Sequence, residues 1–361
     1  MQSHWQLEGR TIGPGAPVWI VAELSANHRQ QFDEAVRLVE AAHACGADAV
    51  KLQTYTPQTM TNDLGGDEQR LGAGTPWAGR RLEELYAEAY MPWEWQPKLA
   101  EVARQLGLGF FSSPFDASSV EFLESMGCPA YKIASFELVD LPLLRCVAKT
   151  GKPVIMSTGM ASWDELCEGV ETLKASGCRE LALLKCVSSY PAAPEEMNLL
   201  NIPFLASQFG VPIGLSDHTV GTEIAVAATA LGARIVEKHL TLSRAQGGPD
   251  ASFSLEPREF RQMSDAIRTV EQALGTDAYQ ISSAESDNRK LRRSLHLVAD
   301  VAAGEPLRPE HVRALRPGNG LEPRYLSKVL GQRTKRDLVR GTPLEWNMID
   351  PISETPQLNM R

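Results

Sequence analysis

The sequence predicts a (β/α)8 TIM barrel followed by a small β-rich module. Three observations carry that expectation. Short apolar runs alternate with helix-patterned stretches eight times between Val18 and Leu274, the pattern of a parallel barrel wrapped in helices. Two late runs end in polar, chemically able residues, Ser216-Asp217-His218 and Glu237-Lys238-His239. After Gly275 the chain turns polar and then changes to short runs punctuated by Gly and Pro. The competing architecture, an open doubly wound sheet, usually carries a glycine-rich dinucleotide loop early on. No G-x-G-x-x-G follows the first run here.

The first strand is expected at Val18–Ala22, running into Glu23-Leu24-Ser25-Ala26-Asn27-His28. Phe32 to Cys45 has apolar residues at helical spacing and stops at Gly46. Ala49–Tyr55 is the second strand. Gln58 to Arg81 is irregular and rich in Gly, which suits a long active-site loop. Helix Trp93–Leu106 precedes strand Gly109–Phe115, helix Ala117–Met126 precedes strand Ala130–Ser135, and helix Leu141–Thr150 precedes strand Pro153–Gly159. Helix Trp163–Ser176 then precedes strand Leu181–Val187, and a helix from about Glu195 to Phe209 leads to the strand Pro212–Leu215. Helix Thr222–Leu231, strand Arg234–Val236 and the amphipathic helix Pro257–Leu274 complete the barrel. Residues 1–276 are thus assigned to the barrel, 277–290 to a polar linker and 291–361 to the β-rich module.

Composition narrows the function classes. The 361 residues are 43% hydrophobic and 22% charged, values of an ordinary globule able to bury a large core. A net charge of -9 without a basic tract argues against nucleic acid as partner. No apolar run reaches membrane-spanning length and the N-terminus lacks a signal-peptide core, so a cytoplasmic location is expected. Six scattered cysteines with no CxxC pair are expected to be reduced thiols.

In a barrel the chemistry sits at the C-terminal strand ends. Reading those ends gives Glu23, Lys51 with Gln53, Ser113, Lys132 with Ser135 and Glu137, Ser157, Ser188 to Tyr190, His218 and His239. Two imidazoles at neighbouring strand ends could converge on one metal ion; the alternative is two satisfied core histidines. Lysines inside apolar strands are costly to bury unpaired, so Lys51 and Lys132 point to function, and with the serines they suit an anionic substrate. A Schiff-base aldolase using Lys132 or Lys185 is a second reading. A non-catalytic binding protein is a third, though the C-terminal module offers Arg292, Arg293, Arg308, Arg313, Arg316 and Arg324 rather than a regular Thr or Ala array.

These segments resemble a known family. Ala22–His28, Lys51-Leu52-Gln53-Thr54-Tyr55, Ser112-Ser113-Pro114-Phe115, Tyr131-Lys132-Ile133-Ala134-Ser135, Ser157-Thr158-Gly159-Met160, Ser216-Asp217-His218-Thr219 and Glu237-Lys238-His239 are similar to the sialic acid synthase family. Arg316-Pro317-Gly318-Asn319-Gly320 looks like the loop of that family's antifreeze-like (SAF) domain. Glu23-Leu24-Ser25, Tyr86 to Trp95 and Lys185 to Pro191 look most like its pseudaminic acid branch. Asn27-His28-Arg29-Gln30 departs from the usual Asn-His-Asn-Gly.

The resemblance implies a transferase that condenses phosphoenolpyruvate with an open-chain amino sugar, and water, to give a 2-keto sugar acid and phosphate. The sugar would be a diacetamido-trideoxy altrose, or the precursor of a neuraminate or legionaminate. It implies a divalent ion (Mn, Co or Mg) on His218 and His239. Lys51, Ser113, Lys132, Ser135, Ser157 and Ser216 would hold phosphoenolpyruvate, Glu23 and Glu137 would orient the sugar or the water, and Asp250 would bind sugar hydroxyls. Gln53, Ser188 and Tyr190 complete the expected substrate contacts. It further implies a domain-swapped homodimer in which Arg316 reaches the partner's barrel.

Overall fold

The computed structural model describes residues 4–61, 70–72, 74–276 and 278–350. Two compact units divide the chain, Met1–Gly275 and Thr276–Arg361.

The first unit opens with a hairpin that the sequence reading passed over. Strands β1 (Trp5–Leu7) and β2 (Arg10–Ile12) pair antiparallel across Glu8 (φ 47°) and Gly9 (φ 81°). Two consecutive positive φ values are what a tight two-residue hairpin turn requires. Trp5, Leu7 and Ile12 are buried, so the hairpin is an apolar plug rather than a tail.

Eight parallel strands then close a barrel: β3 (Trp19–Glu23), β4 (Ala49–Thr54), β5 (Gly109–Pro114), β6 (Tyr131–Ile133), β7 (Val154–Ser157), β8 (Leu181–Cys186), β9 (Ile213–Asp217) and β10 (Ile235–His239). Closure comes from β10 against β3, with Ile235 opposite Trp19 and His239 opposite Glu23. All eight fall where the apolar runs placed them. Because side chains alternate along a strand, Glu237 and His239 share one face of β10 while Lys238 takes the other. Gly214 permits the packing of β9: a Cβ there would lie 2.4 Å from Ile235 O and 2.6 Å from Leu184 Cδ2.

Helices Phe32–Ala44, Gln96–Gln105, Ala117–Ser125, Leu141–Lys149, Trp163–Ala175, Glu223–Ala230 and Pro257–Leu274 follow the expected spacing. Three stretches differ. Leu82–Ala89 is an additional helix. The stretch expected to be helical from Glu195 begins as a 3-10 turn, Pro194–Glu196, and only Asn201–Phe209 is α-helix. Asn198, at φ 45°, breaks the segment between them. The irregular stretch from Gln58 is partly helical, since Pro57–Met60 forms one turn; residues 62–69 and 73 within it lie outside the described residues.

The second unit has its own core, including Leu295, Leu297, Val301, Val312, Leu338 and Leu344. Strands β11 (Ser294–Leu297) and β12 (Val312–Leu315) pair antiparallel, and most of the rest is turns joined by isolated bridges. Part of the expected linker is ordered as helix Ser283–Asn288. Its cap explains why: Ser282 Oγ accepts the N–H of Glu285, whose carboxylate accepts the Ser282 N–H in return. That S-x-x-E signature was present in the sequence and outweighed the polar composition. Among the described residues no helix is long and apolar enough to cross a membrane.

Candidate active site

The C-terminal ends of β3, β4, β6, β9 and β10 bring a charge cluster together around one oxygen. Glu237 Oε1 lies 2.7 Å from Lys51 Nζ and 3.5 Å from Lys132 Nζ, and accepts from Ser216 Oγ at 3.2 Å. Lys51 Nζ also lies 3.0 Å from Glu23 Oε2, and Gln53 Nε2 donates to Glu23 Oε1 at 2.9 Å. Glu23, Lys51, Lys132 and Glu237 are all buried. Burial alone would push Glu237 up, but Lys132 and Lys51 outweigh it and hold the carboxylate ionised. Burial also opposes charge on Lys51, and there Glu23 and Glu237 reverse the direction and raise it. Lys132, with the more distant partner, stays below the usual lysine range because burial dominates. Glu23 is raised, chiefly by burial and further by Glu237.

The two histidines converge beside this cluster, with ring centroids 5.3 Å apart. His218 Nδ1 lies 2.9 Å from Val187 O. A carbonyl can only accept, so Nδ1 carries a proton, and in the neutral ring Nε2 is the nitrogen left with a lone pair. His239 Nδ1 is buried with no hydrogen-bond partner. Burial, then His218 and Lys51, hold His239 well below the usual imidazole range and therefore neutral. Among the described residues no cluster of three or more His, Cys, Asp or Glu is arranged to close around an ion. Two neutral-capable imidazoles with an orphaned ring nitrogen fit an open metal position completed by water or substrate.

The pocket wall opposite is made of hydroxyls. Ser113 Oγ and Ser157 Oγ are buried and make no hydrogen bond among the described residues, a costly state that an anionic ligand would relieve. Ser135 Oγ accepts the N–H of Gly159 at 3.1 Å. A Cβ on Gly159 would lie 2.3 Å from Ser188 Oγ and 2.7 Å from Ser135 Oγ, so this glycine lets both hydroxyls approach. Glu137 is half-buried, with Oε2 unpartnered, and burial pushes its carboxyl up to about 7. Asp250 accepts from Ser25 Oγ and is likewise pushed up to about 7 by burial. Ser25 sits at φ 45° in the loop after β3, and Arg29 and Gln30 also have positive φ. That backbone favours Asn-Gly; here side-chain anchors hold it, Arg29 on Glu34 at 2.9 Å and Gln30 on the carbonyl of Glu88 at 3.2 Å.

Tyr190 stands over His218, ring centroids 4.4 Å apart, and continues to Phe253 and Trp77 at 5.1 and 5.5 Å. Lys185 is set apart from the charge cluster. It donates to Cys186 O at 3.0 Å and lines a cavity with Met160, Trp163, Phe204 and Ser188. Arg316 is exposed in the second unit, just after β12, and among the described residues it makes no ion pair or hydrogen bond. Its loop is braced from behind: Ser294 Oγ donates to Pro317 O at 2.7 Å and accepts the Gly320 N–H at 3.0 Å.

Comparison with known proteins agrees with this arrangement. Residues 38–279 match the NeuB family and residues 292–350 match the SAF domain. The chain belongs to the NeuB family. This NeuB-family chain is 43% identical over 335 residues to a pseudaminic acid synthase of Helicobacter pylori, covering 92% of this chain and 98% of that one. It is 35% identical over 356 residues to an N,N'-diacetyllegionaminic acid synthase of Legionella pneumophila, covering 97% and 100%. Among solved structures, an N-acetylneuraminic acid (sialic acid) synthetase from Leptospira borgpetersenii superposes with a TM-score of 0.71 at 31% identity. That match covers 80% of this chain and 95% of the other. The chain is accordingly a nonulosonic acid synthase, an enzyme of the transferase class.

Two residues of this NeuB-family site were given no role of their own in the sequence reading. Glu237 precedes His239 by two positions and so shares its face, a signal the strand alternation carried. Trp77 lay in the stretch read as a long active-site loop, where no periodicity singles out a functional side chain.

Proposed function

We propose that this protein is a pseudaminic acid synthase: phosphoenolpyruvate, 2,4-diacetamido-2,4,6-trideoxy-L-altrose and water give pseudaminic acid and phosphate. The observation that carries the reading is the placing of two buried lysines and two unsatisfied buried hydroxyls beside a pair of histidines. The pseudaminic acid synthases among the relatives, at 42–43% identity, favour this sugar over the legionaminate precursor.

In this reading Lys51 and Lys132 neutralise the phosphate and carboxylate of phosphoenolpyruvate, and Ser113, Ser135, Ser157, Ser188 and Ser216 donate to its oxygens. His218 and His239 would hold a divalent ion (Mn, Co or Mg), and the chemistry it supplies is Lewis acidity toward the sugar aldehyde. The methylene carbon of phosphoenolpyruvate forms the new C–C bond at the aldehyde carbon. Cationic character develops at the central carbon of phosphoenolpyruvate, and the ionised Glu237 beside Lys51 and Lys132 stabilises it. Water adds at that carbon, its proton passing to a carboxylate, for which Glu23, oriented by Gln53, is the proposed acceptor. The tetrahedral carbon then expels phosphate with C–O cleavage. Glu137 and Asp250 would bind sugar hydroxyls, and Tyr190 would contact the sugar. Arg316 is proposed to come from a second copy of the chain in a domain-swapped homodimer.

The test is phosphate release from phosphoenolpyruvate with Mn, across three sugars: the altrose derivative, the 2,4-diacetamido mannose derivative and N-acetylmannosamine. Release with the altrose compound, abolished by EDTA or by His218→Ala and restored by Mn only in the wild type, is the expected result. Release with another sugar alone overturns the substrate, and release that survives EDTA and His218→Ala overturns the metal site. The Schiff-base alternative predicts a borohydride-trapped adduct on Lys132 or Lys185; none is expected.

A further inference from the structure

The mouth of the barrel differs chemically from its base. A cavity of ≈ 470 Å³ opens there, and most of its side-chain wall is carbon: Pro76, Trp77, Tyr190, Pro191 and Pro249. Thr75 and Ser252 supply two hydroxyls and the Tyr190 phenol a third. Arg80, the charged residue lining it, is already paired with Glu88. Trp77 has its polar handle occupied, since Nε1 donates to Pro249 O at 2.7 Å, tying the 74–80 loop to the loop after β10. What remains to face the cavity is the indole ring, packed at 5.5 Å from Tyr190 and 6.2 Å from Phe253.

Tyr190 links this cavity to the chemistry. Its ring is 4.4 Å from His218 by centroids and also lines the mouth. A substrate whose reacting carbon lies at the histidine pair therefore extends its other end along Tyr190 toward Trp77. A polyhydroxylated end would need several buried donors and acceptors there, and the wall offers three hydroxyls, those of Thr75, Ser252 and Tyr190. An N-acetyl group needs a carbon wall for its methyl and one or two polar groups for its amide, and a deoxy terminus needs the carbon wall alone.

We propose that Trp77 is a specificity-determining residue, whose ring with Tyr190 and the flanking prolines forms the subsite for the N-acylated, 6-deoxy end of the sugar. The inference rests on the nonulosonic acid synthase reading and adds to it the part of the chain that selects acylated, deoxygenated sugars over hydroxylated ones.

The experiment compares wild type, Trp77→Ala and Trp77→Phe with the altrose derivative and with N-acetylmannosamine, measuring KM for each sugar and for phosphoenolpyruvate. Losing one apolar wall is expected to raise KM for the altrose derivative about 10- to 100-fold and to shrink its advantage over N-acetylmannosamine. KM for phosphoenolpyruvate should stay within about twofold, because its charged site is formed by other strands. Trp77→Phe, which keeps a ring but not the tie to Pro249, should retain most of the preference. An unchanged preference in Trp77→Ala, with the altrose derivative still a good wild-type substrate, overturns the subsite and leaves the function standing. A parallel rise in both sugars and phosphoenolpyruvate also overturns it, marking Trp77 as merely structural. A wild type that ignores the altrose derivative while using N-acetylmannosamine overturns the substrate and this subsite together.

Discussion

Lys238 Nζ lies 2.6 Å from Asp217 Oδ2, and both side chains are fully buried. Lys238 also donates to Thr219 O at 2.6 Å, while Asp217 Oδ1 accepts the N–H and hydroxyl of Thr219. The pair thus joins the residue before His218 to the residue before His239, on the strand face opposite the two imidazoles. Breaking it from one side leaves a buried charge alone. Lys238→Met is expected to cost about 3–5 kcal/mol, whereas replacing both partners by apolar residues of similar volume costs less. Urea denaturation of Lys238→Met and of Asp217→Leu/Lys238→Met checks this; a double variant no more stable than the single one would sink it.

The hydroxyls of Ser113 and Ser157 give a prediction of opposite sign for stability and function. Each is buried without a hydrogen-bond partner, so removing it relieves an unsatisfied polar group rather than breaking a bond. Ser157→Ala and Ser113→Ala should unfold at or above the wild-type temperature. If they contact phosphoenolpyruvate, each should raise its KM about tenfold, the worth of one charge-assisted hydrogen bond. Paired melting curves and phosphate-release kinetics decide it. A drop in stability with unchanged KM would assign both serines to the scaffold.

Why these residues were readable and others were not follows from strand geometry. A lysine or histidine at the end of an apolar run is conspicuous, because little but function explains burying it. Lys51, Lys132, His218 and His239 stood out for that reason. Their organising carboxylate, Glu237, was hidden inside a charged triplet, and only the alternation of β10 separates it from Lys238, which faces away and pairs with Asp217. Lys185 looked equivalent to Lys132, yet one residue of register turns it from the barrel interior to a cavity beside Trp163. The hairpin at Trp5–Ile12 was missed because three-residue strands carry too little pattern, although Glu8-Gly9 held its turn signal. Trp77 lies in a loop tied to Pro249 by a long-range hydrogen bond and packed on Tyr190 and Phe253, contacts no local pattern encodes.

Glu137 makes stability depend on pH. Burial raises its carboxyl from the ordinary 4.5 to about 7. The folded protein therefore binds a proton that the unfolded chain releases between about pH 4.5 and 7. Stability from this group is fully present below that window and is lost as pH rises through it. Glu137→Gln, which cannot ionise, should lose less stability than wild type between pH 5 and pH 8, by on the order of 2 kcal/mol. Urea midpoints of both proteins at the two pH values test this. Parallel shifts would mean that Glu137 titrates normally.

Arg316 offers the sharpest test of whether two chains share a site. It is exposed, and its loop is held by Ser294 and its neighbours rather than by the guanidinium. Arg316→Ala should therefore leave the melting temperature unchanged. In the proposed domain-swapped dimer it nonetheless removes activity, because each barrel lacks the arginine its partner should supply. Mixing inactive Arg316→Ala with inactive His218→Ala then has a definite outcome. In a mixed dimer, the barrel of the Arg316→Ala chain keeps its histidines and receives an intact Arg316 from the other chain. With random exchange of subunits half the dimers are mixed and each has one working site, so about a quarter of wild-type activity returns. If Arg316 served its own barrel, every site in a mixed dimer would lack one of the two residues, and exchange would restore nothing. Activity measured before and after subunit exchange, under conditions where size-exclusion chromatography finds a dimer, separates the two arrangements.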